Sequence, residues 1–367
     1  MFFRFILVNV FSFIKRFFAF NATLYNAIVF IPLFTVLSPV ISKRSLTFVI
    51  IFSFILLITG NISSYGNFIM YFLLLLAVPM FKKVNFEQLL SRSFWFFIIV
   101  CLYGLSQKLF GYSAIEKRWI QSGLSFADER EFLTDDLRPF STFASMPEFT
   151  LFIAIFVYYY KTEGKRILLL FALFMLYIAG SRGVFVSTLV AYFFTFVVKK
   201  YNGKYLFLSF FISLLIFFAL VFVFPILFGS VDTTSRMLAY GTFNGRIELL
   251  TKILDQASFS SLFTGLNIKK ISGADTFDNL YFMLIAHFGI FGCIYFLFFF
   301  LKQKINRKNF YFFSIFLGYG FYADVVFSYY LMFLFFIAIY SYSDEISNFL
   351  NKKPSVVSHT PDAQISS

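Results

Sequence analysis

Charge is scarce in this chain of 367 residues: Asp, Glu, Lys and Arg together make up 13% of it. Cysteine and histidine are scarcer still, at two of each. Cys101 and Cys293 both fall inside apolar runs, which argues against a disulfide framework and against a cysteine-rich metal centre. His287 and His359 are isolated from each other. Asp135-Asp136 and Glu129-x-Glu131 match acidic metal motifs only loosely and read as solvated loop charge. No metal and no cofactor is therefore expected. Residues 1–20 lack the small-residue pattern of a cleavage site, so a cleavable signal is not expected either. No internal repeat is visible.

What the chain has in abundance is apolar side chain. Hydrophobic residues reach 60%, and 63 residues are Phe. They fall in blocks of roughly 16 to 24, about the length a helix needs to cross a bilayer. Hydrocarbon offers no partner to a free N–H or C=O, so such a backbone must be helical. The expected fold is all-α: a polytopic integral membrane bundle of about 11–12 transmembrane helices in one domain over 1–342. Candidate spans lie near 3–20, 22–42, 46–61, 65–81, 93–110, 147–161, 165–180, 183–199, 205–228, 278–301, 309–324 and 326–342. The first carries Arg4, Lys15 and Arg16, and an interfacial amphipathic helix is the alternative for it.

A formal charge of +13 invites a nucleic-acid reading, but the placement of the charge argues against one. The short connections 43–44, 82–92, 161–166, 199–204 and 302–308 carry fifteen Lys or Arg and two acids. Alternate connections differ: 62–64 is uncharged, and 111–146 holds four basic and six acidic residues. The positive-inside rule makes the first set cytoplasmic and puts the C-terminus on the same side. The basicity then reflects topology, with added attraction to anionic lipid heads.

Two connections on the outer, periplasmic side are too long to be turns, about 111–146 and 229–277. Long loops in a compact protein are usually functional. Within the second, Ile247, Leu250, Ile253 and Leu254 recur at helical spacing among Arg246, Glu248, Lys252 and Asp255. That pattern predicts an amphipathic helix on the membrane surface, with a structural lid as the bland alternative. Residues 343–367 read as a polar cytoplasmic tail.

Ionisable groups at membrane depth cost roughly 2.5–3.5 kcal/mol or more, so they are functional candidates by default. Four places stand out, all at the outer ends of spans or in outer loops. Ser181-Arg182-Gly183 joins two spans with almost no loop, and Arg182 sits where the positive-inside bias disfavours it; a snorkelling anchor is the alternative. Arg138-Pro139-Phe140-Ser141-Thr142-Phe143 leads to Met146-Pro147-Glu148, where simple capping would also explain Glu148. Asn244-Gly245-Arg246 precedes the amphipathic stretch, where a solvated Arg246 is equally plausible. Asp278-Asn279 opens a span that continues to Gly289-x-x-Gly292; an N-cap at Asp278 and close helix packing at the glycines are the plain alternatives. Three outward arginines beside two carboxylates suit one chemistry. Guanidinium groups bind diphosphate through paired charge-assisted hydrogen bonds, and a carboxylate can take a proton from a hydroxyl.

These residues resemble a family. Asp278-Asn279, nine residues, then Gly289-x-x-Gly292 resembles the His-Asn/Ser/Gln-x9-Gly-x-x-Gly motif of O-antigen ligases and their polymerase relatives. The Arg138 to Glu148 segment resembles that superfamily's Arg-x-x-Gly-x-Phe…Pro-Asn lead-in to a central helix. Ser181-Arg182-Gly183 is similar to its Ser-Arg-Gly turn. Asn244-Gly245-Arg246 and Leu262-Phe263-Thr264-Gly265 resemble its Gly-Arg and Phe-x-Gly elements. The likeness covers about 138–300, in the family's order. Asp278 stands where ligases carry His, which favours a Wzy-type O-antigen polymerase over a ligase.

The resemblance implies a metal-independent glycosyltransferase of lipopolysaccharide biosynthesis in the bacterial inner membrane. It would join undecaprenyl-diphosphate-linked oligosaccharide units at the periplasmic face. Arg182, Arg246 and Arg138 would hold the diphosphate, and Asp278 or Glu148 would accept the hydroxyl proton. Asn279, Gly289 and Gly292 would support them. Membrane lipids, and a chain-length regulator protein, are the implied partners; nucleic acid is not. The alternatives are an O-antigen ligase and, from another class, a lipid-linked oligosaccharide flippase.

Overall fold

The computed structural model describes residues 43–58, 84–121, 139–143, 146–198, 203–219, 279–301, 305–322 and 329–342, and single positions at 76, 81, 137, 251, 255, 258, 263, 265 and 266. The expected spans at 3–20 and 22–42, Arg138, Arg246, Asp278 and the tail 343–367 lie outside the described residues, as does the side chain of Arg182. Among the described residues there are eleven helices and no strand. They are α1 (Lys43–Ile58), α2 (Phe86–Arg92), α3 (Phe94–Phe110), α4 (Ala114–Gln121), α5 (Met146–Thr162), α6 (Arg166–Ile178), α7 (Arg182–Val197), α8 (Gly203–Phe218), α9 (Leu280–Leu301), α10 (Arg307–Tyr319) and α11 (Tyr329–Tyr340).

The all-α expectation holds. By length and composition, α9 is long and apolar enough over Leu280–Leu297 to cross a membrane. The α2/α3 pair qualifies as a second if counted together, across its 59° bend. The other apolar helices are shorter, and α1, α8 and α11 abut residues outside the described set. The connection 111–146 is not a plain loop, because it contains α4.

Local chemistry sets the helix ends. Asn306 and Asn309 form a reciprocal capping box that starts α10, with Asn309 N–H donating to Asn306 Oδ1 at 2.9 Å and Asn306 N–H to Asn309 Oδ1 at 2.7 Å. Asn85 caps α2 by accepting from Gln88 N–H at 3.0 Å. Three-residue links after α5 and after α6 turn the chain back each time. They force α5, α6 and α7 into an antiparallel row in which α5 and α7 point the same way.

Helices α5, α10 and α11 form the interior. Every residue from Phe149 to Tyr160 and from Phe310 to Tyr319 is buried. Stacked and edge-on rings fill the space, such as Phe97 against Phe156 at 4.4 Å and Tyr158 against Tyr311 at 4.8 Å. The surrounding helices are apolar on the outside. Leu46, Ile50, Phe54 and Leu57 on α1 are exposed, as are Ile167, Leu170, Phe174 and Tyr177 on α6. So are Leu189, Phe193 and Phe196 on α7, and Leu208, Phe211, Leu215 and Phe218 on α8. Each set recurs at three- and four-residue spacing and so forms one stripe. The hydroxyls point inward instead: Ser187, Thr188 and Thr195 of α7, Ser209 and Ser213 of α8 and Ser314 of α10 are buried. Ser209 and Ser314 share a hydrogen bond, and Ser187 and Ser213 pack on Gly318 of α10. This ordering inverts that of a helix facing water.

Candidate functional site

Two ends of the bundle can be traced through contacts. Near one end, Lys161 Nζ donates to Thr195 Oγ1 at 3.1 Å and lies over the Tyr192 ring at 3.7 Å. Lys308 pairs with Glu87 at 2.9 Å, and Phe86 packs on Phe312 and Tyr342. Helix α8 runs with α10, since Ser209 meets Ser314 and Phe217 meets Tyr322, so Lys204 starts at this end too. Helix α1 runs against α9, with Phe48 on Tyr295 and Phe52 on Phe288, which brings Lys43 there as well. The described residues of all five basic connections thus share one end, here the Lys161 end.

The opposite, Ser181 end gathers three of the described site candidates, Glu148, Arg182 and Asn279, while Gly289 and Gly292 lie further along α9. Glu148 lies thirteen residues before Lys161, and Arg182 thirteen before Thr195. Because α5 and α7 are parallel and joined by that Lys161–Thr195 pair, the starts of both helices lie level, about 20 Å away from it at 1.5 Å per residue. Glu148 is buried in the first turn of α5. Ser181 is the N-cap of α7, and Arg182 is the first residue of the helix.

Gly183 explains why this turn is so tight against its neighbour. A Cβ there would fall 2.3 Å from Tyr322 Cβ and 2.6 Å from Tyr322 Cγ, so only glycine lets α7 meet the turn at the end of α10. The same turn receives α9. Asn279 Nδ2 donates to Phe321 O at 2.9 Å, Leu280 N–H to Gly320 O at 2.8 Å, and Tyr281 O–H to Leu317 O at 2.5 Å. Asn279 Oδ1 accepts from the N–H groups of Tyr281 and Phe282, both at 3.0 Å. The N-cap of α9 is therefore Asn279 and not Asp278, whose place in the chain is one residue before it. The turn 317–322 joins the Arg182 start of α7 to the Asn279 start of α9.

Gly289 of the Gly289-x-x-Gly292 pair interrupts its own helix, a role beyond the close packing raised by the sequence. Gly289 has φ 69° and ψ 179°, a region almost restricted to glycine, and it breaks α9. Leu266 N–H donates to Ala286 O at 2.5 Å, taking a carbonyl that in an unbroken helix would accept from Ile290. Gly265 approaches so closely that a Cβ would lie 2.7 Å from His287 O. His287 is buried beside this break. Phe263, Gly265 and Leu266 thus pack against the α9 residues 286, 287 and 291 on either side of Gly289.

The segment that follows Arg138 is also fixed at this end. Gln107 of α3 accepts through Oε1 from Phe140 N–H at 3.1 Å and Ser141 N–H at 2.7 Å. Lys108 Nζ donates to Leu137 O at 2.9 Å. Gln107 Nε2 donates at 2.5 Å to Glu116, a buried carboxylate of α4 that sequence reasoning missed. A signal was present: Ser113-x-x-Glu116 is a capping-box pattern, and Ser113 N–H does donate to Glu116 Oε2 at 2.8 Å. Tyr112, Trp119, Ile120 and Phe140 close a small separate apolar cluster over it. Arg246 lies outside the described residues. The two cysteines are free and buried.

No protein-family model, no curated protein and no solved structure matches this chain. Among the described residues the fold is all-helical, with apolar stripes outward, hydroxyls inside, and polar helix starts gathered at one end.

Proposed function

We propose that this chain is a polytopic inner-membrane glycosyltransferase that polymerises lipid-diphosphate-linked oligosaccharide units, in the manner of a Wzy-type O-antigen polymerase. One observation carries the reading. The turn 317–322 of α10 binds both the helix start that bears Arg182 and the helix start that follows Asp278, while Glu148 opens α5 at the same end. A candidate anion-binding guanidinium and a candidate base thus belong to neighbouring helix starts in the chain, which supports an attack beside a diphosphate. Helix N-termini add favourable dipoles toward anionic groups.

The growing chain on its lipid is the donor, and a hydroxyl at the non-reducing end of the next unit is the acceptor. Arg182, with Arg138 and Arg246, holds the diphosphate and stabilises charge as it departs. Asp278 or Glu148 accepts the hydroxyl proton. The membrane setting is supported by the outward apolar stripes of α1, α6, α7 and α8 and by the inward hydroxyls. It is also supported by the gathering of the basic connections at the Lys161 end.

The break in α9 at Gly289 favours a second reading, a lipid-linked oligosaccharide flippase, because transporters often carry discontinuous helices. Against it, the acidic or basic side chains buried among the described residues, apart from His287, are Glu116 and Glu148. Both lie at the Ser181 end rather than along a central path.

Deleting the gene and resolving lipopolysaccharide on a gel separates the readings. The expected pattern is core plus one repeat unit with the long ladder lost. Bare core alone would overturn the polymerase reading. Lipid-linked polymer accumulating beside bare core would indicate a ligase, and absence of any exported unit would indicate the flippase.

A further inference from the structure

The segment that begins at Arg138 is held by a relay whose far end is Glu116. The Glu116 carboxylate is 3% exposed and fully engaged. Its Oε1 accepts from Tyr103 O–H at 2.8 Å and from Gln107 Nε2 at 2.5 Å. Its Oε2 accepts from Ser113 N–H at 2.8 Å and Ser113 O–H at 2.9 Å. A carboxylate only accepts, and a backbone N–H only donates. Gln107 lies between the two kinds of partner, so its amide has one satisfactory orientation. Turned over, it would set its NH2 against the N–H groups of Phe140 and Ser141 and its oxygen against the carboxylate.

The turn this orientation holds is not a relaxed one. Ser141 has φ 52°, the left-handed region that residues with a side chain seldom adopt. Two bonds keep it there: Ser141 N–H to Gln107 Oε1 at 2.7 Å, and Ser141 O–H to Val100 O at 2.6 Å. Lys108 holds Leu137 O on the other side of Arg138 in the chain. The backbone on both sides of Arg138 is thereby fixed to α3.

We propose that Glu116 is a positioning residue: its carboxylate orients Gln107, and Gln107 fixes the 139–143 turn and with it the diphosphate-binding contribution of Arg138. The consequence for turnover rests on the polymerase reading. The consequence for conformation does not.

Two readouts separate them. The chain has two tryptophans, and Trp119 packs on Phe140 with ring centroids 5.9 Å apart while Trp95 is exposed. In a Trp95→Phe background of the detergent-solubilised full chain, Trp119 emission reports whether the turn is docked. Glu116→Gln removes the acceptor-only group at constant size. It should shift the emission to longer wavelength and raise acrylamide quenching. With lipid-linked repeat units as substrate, it should raise the apparent KM for donor about tenfold with kcat within about twofold, the pattern of lost binding rather than lost chemistry. Gln107→Glu should do the same. The exchange Gln107→Glu with Glu116→Gln restores a carboxylate facing both N–H groups and an amide donating to it, and should return both readouts toward wild type. Tyr103→Phe removes one donor to Glu116 but leaves the Gln107 relay, and should leave both nearly unchanged.

Unchanged emission in Glu116→Gln, an exchange variant no better than the single ones, or an equal effect from Tyr103→Phe would overturn the relay. A loss confined to kcat would overturn the assignment to substrate binding. If wild-type protein makes no polymer, the polymerase reading fails, and the Trp119 readout still decides the relay.

Discussion

Asn279 does two jobs with one side chain, and substitutions can take them apart. Its Oδ1 caps α9 by accepting from Tyr281 and Phe282 N–H, and its Nδ2 bridges to Phe321 O on the turn that also seats Gly183. Asn279→Ser keeps an oxygen for the cap but cannot reach across to Phe321. That leaves a buried carbonyl without this donor, which should destabilise the protein by about 1–3 kcal/mol. Asn279→Ala removes the bridge and the cap together, and the cap adds about 1 kcal/mol. Asn279→Asp caps as well as Asn but turns an acceptor toward Phe321 O at the 2.9 Å now occupied by a donor. It should be the worst of the three near neutral pH. Lowering the pH should recover part of its loss, because a protonated carboxyl can donate to that carbonyl.

Reversible unfolding of the solubilised full chain in mixed micelles, followed by far-UV circular dichroism, gives the three free-energy differences. The expected order is wild type, then Ser, then Ala, then Asp, with Ala below Ser by about the worth of one cap. Polymer length on gels should fall already in Asn279→Ser if the chain is the proposed polymerase, because the bridge sets where the start of α9, one residue after Asp278 in the chain, meets the 317–322 turn. A Ser variant as stable as wild type would show that the bridge contributes nothing. Equal losses in Ser and Ala would show that the cap does not matter, while only the first result would remove the reason for linking the α7 and α9 starts.

Arg182→Ala should abolish long polymer and Arg182→Lys should reduce it clearly at unchanged protein level, since an ammonium cannot reproduce the planar fork on a diphosphate; full activity in Arg182→Ala would return the residue to a membrane anchor. Asp278→Asn should slow polymerisation by about 10²-fold or more if Asp278 is the base, and near-normal rates would shift that role to Glu148. Gly289→Ala should destabilise the chain by about 1–3 kcal/mol, because φ 69° with ψ 179° is all but closed to residues with a Cβ; no change in unfolding would mean that α9 is unbroken. Turnover by purified protein should persist in EDTA, and loss restored by a divalent ion would count against an arginine-only site.

Much of this was legible in the sequence, and the part that was not has a common cause. The helices were legible because apolar blocks of roughly 16 to 24 residues, read as bilayer-length segments, require a helical backbone. The tight α6–α7 link was legible at Ser181-Arg182-Gly183, and the helix start at Asp278-Asn279 was legible to within one residue. The break at Gly289 was not, because Gly-x-x-Gly in an apolar run has the same letters whether the glycines admit a neighbouring helix or interrupt their own. The partner that distinguishes these cases, Leu266 on Ala286, lies twenty residues away in the chain. Gln107 was missed for the same reason: Ser141 is thirty-four residues distant, and a lone glutamine near the end of an apolar helix carries no local mark.

The inward face of each helix was hidden differently. A strand or helix facing water reveals its buried side through the period of its apolar residues. Here Phe and Leu occupy both sides, as in α8, where Leu206 is buried and Phe207, Leu208 and Phe211 are exposed. The periodic signal is carried instead by the small hydroxyls. Ser209 and Ser213 of α8, four residues apart, both face inward, as do Ser187 and Thr195 of α7. Ser209 pairs with Ser314 across the α8–α10 contact, and Ser187 and Ser213 are the small side chains that fit against Gly318, so the hydroxyl positions mark where these helices meet. In a chain with so much phenylalanine, the spacing of serine and threonine is the better guide to which face is inside.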